Sequence, residues 1–169
     1  MSIEQFLADA GITYERFDHP AVFTCEESEQ LPKMPGADTK NLFLQEEPRT
    51  MTSGQVQGKK FFLVSVPHDK RTDLKALALL FGVKRLMFGK EPDLLRLLGV
   101  TPGSVTMMGL MHDTDHQVEF WIDQSIWDAQ TVQCHPLVNT ATIVVPHDGL
   151  VKFFEKTGHK VHAATIPSR

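Results

Sequence analysis

Phe61-Phe62-Leu63-Val64-Ser65-Val66 is the stretch on which the fold turns. It is a short, nearly continuous apolar run between turn signals, Gly58 on one side and Pro67-His68-Asp69 on the other. A half-exposed strand would alternate apolar with polar; this run reads as a buried strand. Immediately upstream, Asn41-Leu42-Phe43-Leu44-Gln45 has the same character, and the polar segment Glu46–Gly58 between them reads as a hairpin-type connection. Downstream the period changes. Leu74, Leu77, Ala78 and Phe81 recur at helical spacing within Asp73–Phe81, and Gly82 follows as a stop. Val83–Phe88 is a strand candidate, and Pro92–Leu98 a helix with Pro in its first turn and Gly99 beyond its end.

The flanks extend the same mixture. Ser2–Ala10 reads as a helix, with Ile3, Phe6, Leu7 and Ala10 on one face and a Ser2/Gln5 capping box. Tyr14–Phe17 reads as a short strand, and Thr24 with Glu27 opens a short acidic helix through Gln30. Ser104–Leu110, Val118–Asp123 and Ala141–Val145 are strand candidates, and Asp148 is placed to cap a helix through Thr157. Strands and helices interleave irregularly, so the fold class is α/β in the mixed α+β sense rather than a doubly wound sheet.

Composition bounds the function. The chain has 169 residues, the length of a single domain, with 41% hydrophobic and 22% charged residues, which excludes a disordered chain. Cys25 and Cys134 are its two cysteines, too few for a disulfide scaffold or a four-cysteine zinc site. No apolar run reaches the ~18 residues of a membrane span, and Met1–Gln5 lacks a secretory leader's features. A cytoplasmic setting without a membrane partner is expected. The phosphate-binding G-x-x-x-x-G-K-[ST], the dinucleotide G-x-G-x-x-G, H-E-x-x-H and G-x-S-x-G are absent, which argues against NTPases, Rossmann dehydrogenases and typical serine hydrolases. Net charge is -4, but residues 33–96 carry twelve Lys/Arg against seven acids. That middle third, with Lys59, Lys60, Lys70, Arg71, Lys75, Lys84, Arg85, Lys90 and Arg96, reads either as a solvated surface or as a patch meeting a small part of a polyanion.

His112-Asp113-Thr114-Asp115-His116 reads as a polar turn in preference to a metal site. Cys134 beside His135 reads as a small buried filler, as does Cys25, because neighbours along a strand point apart and cannot form a thiol–base pair. Met107, Met108 and Met111 read as core. Three blocks carry more. In Asp38-Thr39-Lys40-Asn41-Leu42-Phe43-Leu44 a lysine stands at the start of an apolar strand, either snorkelling or poised for chemistry. In Gly99-Val100-Thr101-Pro102-Gly103-Ser104-Val105 the glycines admit close backbone approach to a ligand, or simply turn the chain. In His135-Pro136-Leu137-Val138-Asn139-Thr140-Ala141-Thr142 a histidine precedes a rigid turn into a strand.

Taken in order, together with Phe17-Asp18-His19-Pro20-Ala21-Val22-Phe23-Thr24, these blocks resemble the YbaK/ProX family of aminoacyl-tRNA deacylases, related to the editing insertion of bacterial prolyl-tRNA synthetases. They are most similar to its freestanding Ala-tRNA(Pro) deacylase branch (ProXp-ala, PrdX-like). The resemblance covers nearly the whole chain. It implies one compact domain, residues 1–169, with a mixed, barrel-like sheet surrounded by helices. It implies hydrolysis of mischarged tRNA in trans, with no metal or other cofactor. The matched Lys40 would be the residue most tied to activity, Gly99 to Ser104 would border the substrate pocket, and His135 would line it beside Asn41.

On that reading the substrate is an alanyl ester on the terminal ribose of tRNA(Pro), cleaved by direct attack of water. Lys40 supplies positive charge near the acyl carbonyl or the terminal phosphate and ribose, and the backbone around Gly103 and Ser104 donates to the carbonyl oxygen. His135 orients the ester or the water. Thr101 and Pro102 belong to the substrate-binding turn, and Val22, Phe43 and Leu44 are expected as apolar pocket walls. The expected partners are the tRNA acceptor end, and prolyl-tRNA synthetase as a candidate, with no DNA. Two alternatives stay open: the same chemistry on serine, cysteine or threonine, and a catalytically silent module that binds tRNA ends or a synthetase.

Overall fold

The structure is a computed structural model that describes residues 1–21, 24–48 and 60–169. The expectations for Val22, for Lys59, for the connection over 49–58 and for the Cys25 side chain lie outside the described residues.

In chain order the helices and strands are α1 (Ile3–Asp9), β1 (Glu15–Asp18), α2 (Cys25–Glu29), β2 (Thr39–Glu46), β3 (Phe61–Pro67), α3 (Leu74–Phe81), β4 (Leu86–Phe88), α4 (Glu91–Leu98), β5 (Val118–Asp123), α5 (Gln124–Trp127), β6 (Thr131–Cys134), β7 (Ala141–Pro146), α6 (His147–Thr157) and β8 (Val161–Ala164). They build a mixed α/β architecture around two sheets. The larger has the order β4-β2-β3-β5-β8, antiparallel from β4 to β3 and parallel from β3 to β8. The smaller, β1-β7-β6, is antiparallel. Strand β3 is central. Phe61 through Val66 are all buried, because the sheet is covered on both faces, and that is why the run does not alternate.

Between the sheets lies the larger core, with Phe43, Leu63, Phe120, Ile122, Met107, Met108, Phe153 and Leu98 among its members. On the other face of the larger sheet a second core joins Leu44, Phe62, Val64 and Val66 to Leu77 and Ala78 of α3 and to Ile166. Helix α3 forms as its sequence dictates. The Asp73 carboxylate accepts from the amides of Lys75 and Ala76, a cap worth about 1 kcal/mol. Gly82 ends it in the left-handed region at φ 72°.

Four expectations are corrected. Ser104–Leu110 is not a strand; the chain makes two 3-10 segments, Pro102–Ser104 and Met107–His112, the second capped by Thr106 Oγ1 accepting from the Met108 amide. A 3-10 turn packs Gly109 against Leu98, where an added Cβ would sit 3.0 Å from Leu98 Cβ. Of Val83–Phe88 only Leu86–Phe88 is strand. Helix α6 starts two residues earlier than Asp148 predicts: Pro146 is its N-cap residue, and Asp148 lies in the first turn. Strand β1 is shifted by one residue from Tyr14–Phe17.

The two sheets meet where β2 begins. Ala37 pairs with Val132 in an isolated bridge, its amide donating to Thr131 O at 2.9 Å and its carbonyl accepting from Gln133 N at 2.9 Å. The Gln133 side chain donates to the carbonyls of Met34, Pro35 and Gly36. This clasp fixes the loop that leads into Thr39 and opens a cavity at the junction.

Candidate functional site

The junction cavity is small, about 40 Å³, and is lined by Leu31, Met34, Asp38, Thr39, Asn41, Gln133, Cys134, His135 and Thr142. Strand alternation decides which residues of β2 reach it. Thr39 and Asn41 share one face, Lys40 and Leu42 the other.

The hydrogen bonds fix what each polar group offers the cavity. Ser65 Oγ, directly across from Asn41 in the β2–β3 ladder, donates to Asn41 Oδ1. That orients the amide and leaves its NH2 as the donor. The Thr39 hydroxyl donates to Gln133 O at 2.7 Å, so its oxygen lone pairs remain as acceptors. His19 Nδ1 lies 2.9 Å from Pro20 O, an acceptor only, so Nδ1 carries the proton and Nε2 accepts. Its partner at 2.8 Å is Thr142 Oγ1, whose proton is thereby committed to His19 and whose lone pairs are free to accept. His135 Nδ1 donates in the same way to Ala141 O at 3.2 Å, which leaves Nε2 as an acceptor. Burial lowers the His135 pKa below the usual histidine value; the Ala141 carbonyl and Asp38 oppose this, and His19 reinforces it. His135 is therefore neutral at pH 7. The cavity offers one amide donor set against several acceptors and the Asp38 carboxylate.

Cys134 closes the floor. It is 3% exposed, and burial pushes its thiol up to about 12, so it is a filler and not a nucleophile.

The sequence-predicted residues do not all converge here. Lys40 lines a separate, larger groove of about 680 Å³ with Leu42, Arg71, Thr72, Asp73, Leu74, Lys75, Phe88 and Arg169. Lys40 and His135 line different cavities, and the reason is the period of two along β2. Gly99, Thr101, Pro102, Gly103 and Ser104 are not among the residues lining the junction cavity. The Ser104 amide donates to Thr101 O at 2.9 Å, within its own turn, and so is not available to a carbonyl ligand. Gly99 is the C-cap of α4 at φ 68°, lying against the His112 ring. The turn reaches the site indirectly: Thr106 Oγ1 donates to His135 O at 2.7 Å. Phe43 and Leu44 are core, not pocket wall; Phe43 stacks on Phe61 at 5.7 Å and Leu44 is fully buried on the Lys40 face.

The basic middle third is partly committed elsewhere. Lys70 Nζ bonds Asp123 Oδ2 at 2.5 Å and Ile166 O at 2.6 Å. Burial pushes the Asp123 carboxyl up, but Lys70, Ser125 and the Ile166 amide outweigh it and hold it below the usual carboxylate range. Arg85 pairs with Glu47 and Arg96 with Asp93. In the His112–His116 turn, Asp113 accepts from the amides of Gln117 and Val118 and faces His159 at 2.8 Å. No group of three or more metal-ligating side chains occurs among the described residues.

Sequence reasoning missed Thr39, Asp38, Thr142 and Gln133 as parts of this cavity, and His19 as the partner of Thr142. Two signals pointed there: Thr39 and Asn41 stand at i and i+2 on one strand, and His19-Pro20 and Thr142 fall in the flanking blocks.

Three kinds of likeness bear on the chain. The family described as aminoacyl-tRNA editing domain matches residues 19–153. A Bos taurus protein named prolyl-tRNA synthetase associated domain-containing protein 1 is 34% identical over 163 residues, covering 94% of this chain and 90% of its own length. Prolyl-tRNA editing protein ProX of Acetoanaerobium sticklandii is 30% identical over 162 residues, covering 95% and 93%. The crystal structure of a protein proposed to be a trans-editing enzyme for prolyl tRNA synthetase superposes with a TM-score of 0.68 at 20% identity, covering 99% of this chain and 95% of that one, which shows a shared fold.

Proposed function

Because this chain belongs to the aminoacyl-tRNA editing-domain family, a family of deacylases, we propose that it removes a small amino acid, alanine foremost, from mischarged tRNA(Pro) by direct attack of water at the junction cavity. The single observation that carries the reading is the size of that cavity together with its donor–acceptor pattern.

A cavity of about 40 Å³ favours a small acyl group: counting the amine nitrogen, Cα and side chain, an alanyl group brings three heavy atoms and a prolyl group five. Serine and cysteine each add one atom and are admitted less readily. A synthetase pocket shaped for proline rejects alanine weakly, since a missing methylene is worth only ~1–3 kcal/mol, and a second site that excludes the larger residue completes the discrimination.

The chemistry distributes over the named groups. The aminoacyl α-ammonium fits the acceptors, namely Thr142 Oγ1, Thr39 Oγ1 and neutral His135 Nε2, with Asp38 adding negative charge. The ester carbonyl oxygen meets the Asn41 NH2, which is already held by Ser65 and costs no reorganisation as the oxyanion develops. Water attacks the carbonyl carbon, and the neighbouring ribose hydroxyl, present because the substrate is RNA, assists its activation. The ester oxygen leaves with a proton as the terminal ribose hydroxyl. Lys40, facing the other side of β2, takes the phosphate of the terminal nucleotide and not the acyl carbonyl.

The test is a panel of tRNA(Pro) charged with alanine, serine, cysteine or proline. Alanyl ester is expected to be cleaved fastest and prolyl ester negligibly. A protein that cleaves none of them would overturn the reading in favour of a silent binding module, and one that prefers the prolyl ester would overturn the size argument.

A further inference from the structure

The groove behind β2 has no part in the acyl chemistry, yet it is built with unusual economy. Its lining brings together four cationic side chains, Lys40, Arg71, Lys75 and Arg169, against one acidic side chain, Asp73. The Asp73 carboxylate is already occupied as the N-cap of α3. Among the described residues none of the four cations is paired with an acid, unlike Lys70, Arg85 and Arg96 nearby. The cations are held in place by backbone: Thr72 bridges Ser168, and the Arg169 amide donates to Arg71 O at 2.8 Å, which sets those two guanidinium-bearing residues side by side. At the mouth of the same groove stands Phe88, 60% exposed on the edge strand β4. A phenylalanine left this open beside four unpaired cations has no structural task that the core does not already perform.

From this juxtaposition we propose that the groove is the track for the unpaired 3′ end of the tRNA, with Phe88 as the platform on which a base stacks and Arg71, Lys75 and Arg169 as its phosphate contacts. The inference rests on the deacylase reading above and deepens it. Single-stranded nucleic acid is bound by this combination of positive groove and exposed aromatic, since every base has a π-face and every nucleotide a phosphate. Position agrees with it. Lys40 lines the groove and its chain neighbour Asn41 lines the acyl cavity, their Cα atoms about 3.8 Å apart. A strand end lying along the groove rounds the start of β2 at Thr39 to deliver its aminoacyl group. A small footprint of this kind is compatible with a net charge of -4.

The experiment uses uncharged RNA, so that binding is read apart from hydrolysis. The probe is a minihelix of the tRNA(Pro) acceptor stem carrying its unpaired CCA end, with 2-aminopurine in place of the terminal adenine; its control is the same stem trimmed of unpaired nucleotides. Wild type is compared with Phe88→Ala, Phe88→Tyr, Arg71→Ala and Lys75→Ala. Phe88→Ala is expected to weaken minihelix binding roughly ten-fold, to restore 2-aminopurine fluorescence, and to leave the trimmed stem's binding unchanged, while Phe88→Tyr retains both. Each cation variant is expected to reduce the slope of log affinity against log salt by about 0.7. Wild-type affinity in Phe88→Ala, or an equal loss on the trimmed stem, would overturn the inference. Because the probe carries no ester, a protein that binds it through Phe88 yet cleaves no charged tRNA supports the groove while removing the deacylase reading, so the two fail separately.

Discussion

Lys40 and Asn41 are adjacent on β2, yet Lys40 lines the basic groove with Arg71 and Phe88 while Asn41 lines the junction cavity with His135. On the proposed deacylation, one strand then separates substrate holding from chemistry, and the two residues should fail in different ways. Asn41→Ala removes the oxyanion donor and should lower kcat by roughly 10²–10³ with KM little changed. Lys40→Ala should chiefly raise KM and make it less sensitive to salt. Single-turnover and steady-state deacylation of alanyl-tRNA(Pro) at two salt concentrations measure both.

The pH dependence follows from His135. Its folded pKa lies below the ordinary histidine value because of burial, so the unfolded chain binds more protons in the window between the folded value and about 6.5. Stability contributed by this group is therefore complete above about pH 6.5 and declines as pH falls through that window. Activity should be level above about pH 6.5 in respect of this group and fall only below the depressed value, when Nε2 becomes a donor and repels the substrate's ammonium. Comparing pH–rate profiles of wild type and His135→Gln checks this: the acid limb should vanish in the variant.

The Lys70–Asp123 pair is a structural counterpart to the groove cations. Side-chain exposures of 18% and 4% make it a buried pair, and Lys70→Met leaves Asp123 charged, with only Ser125 and the Ile166 amide as partners. The expected cost is about 3 kcal/mol, read by denaturant unfolding, with Asp123→Asn in the Lys70→Met background recovering part of it. An unchanged midpoint would show the pair to be dispensable.

Gly89 abuts the ring of Phe43, where an added Cβ would fall 2.2 Å from ring carbons. Phe43 is 5% exposed and stacked on Phe61, so it has nowhere to move. Gly89→Ala should destabilise the protein by about 1–3 kcal/mol, and the double variant with Phe43→Leu should recover part of the loss. Thermal unfolding of the two variants measures it.

How much of this was legible in the sequence depends on what each residue has to do. Strands β2 and β3 announced themselves because both faces of the larger sheet are covered and the apolar run is unbroken. Helix α3 did so because its cap residues, Asp73 and Gly82, have no other reason to stand there. The 3-10 segments over 102–112 were misread because Val105, Met107, Met108 and Leu110 make an apolar run that a strand would also show; the deciding contact, Gly109 against Leu98, is tertiary. Strand β6 alternates, but over only four residues, and β8 is half-buried throughout, so neither gives a period long enough to read. In the site, the block containing Lys40 and Asn41 was found, but its two residues were assigned to one pocket although alternation sends them apart. His19 and Thr142 were visible only as members of matching blocks; that they touch, 123 positions apart, is a product of the β1–β7 pairing.

The central claim is that the junction cavity selects by size, and the ratio of kcat/KM for alanyl- over prolyl-tRNA(Pro) tests it most directly, in wild type and in Met34→Ala. The Met34 carbonyl that binds Gln133 survives this substitution while its side chain, part of the cavity wall, is cut back. The account predicts that the ratio falls by roughly 10–200-fold, through a gain of prolyl cleavage. A ratio unchanged from wild type, with alanyl cleavage intact, would contradict it.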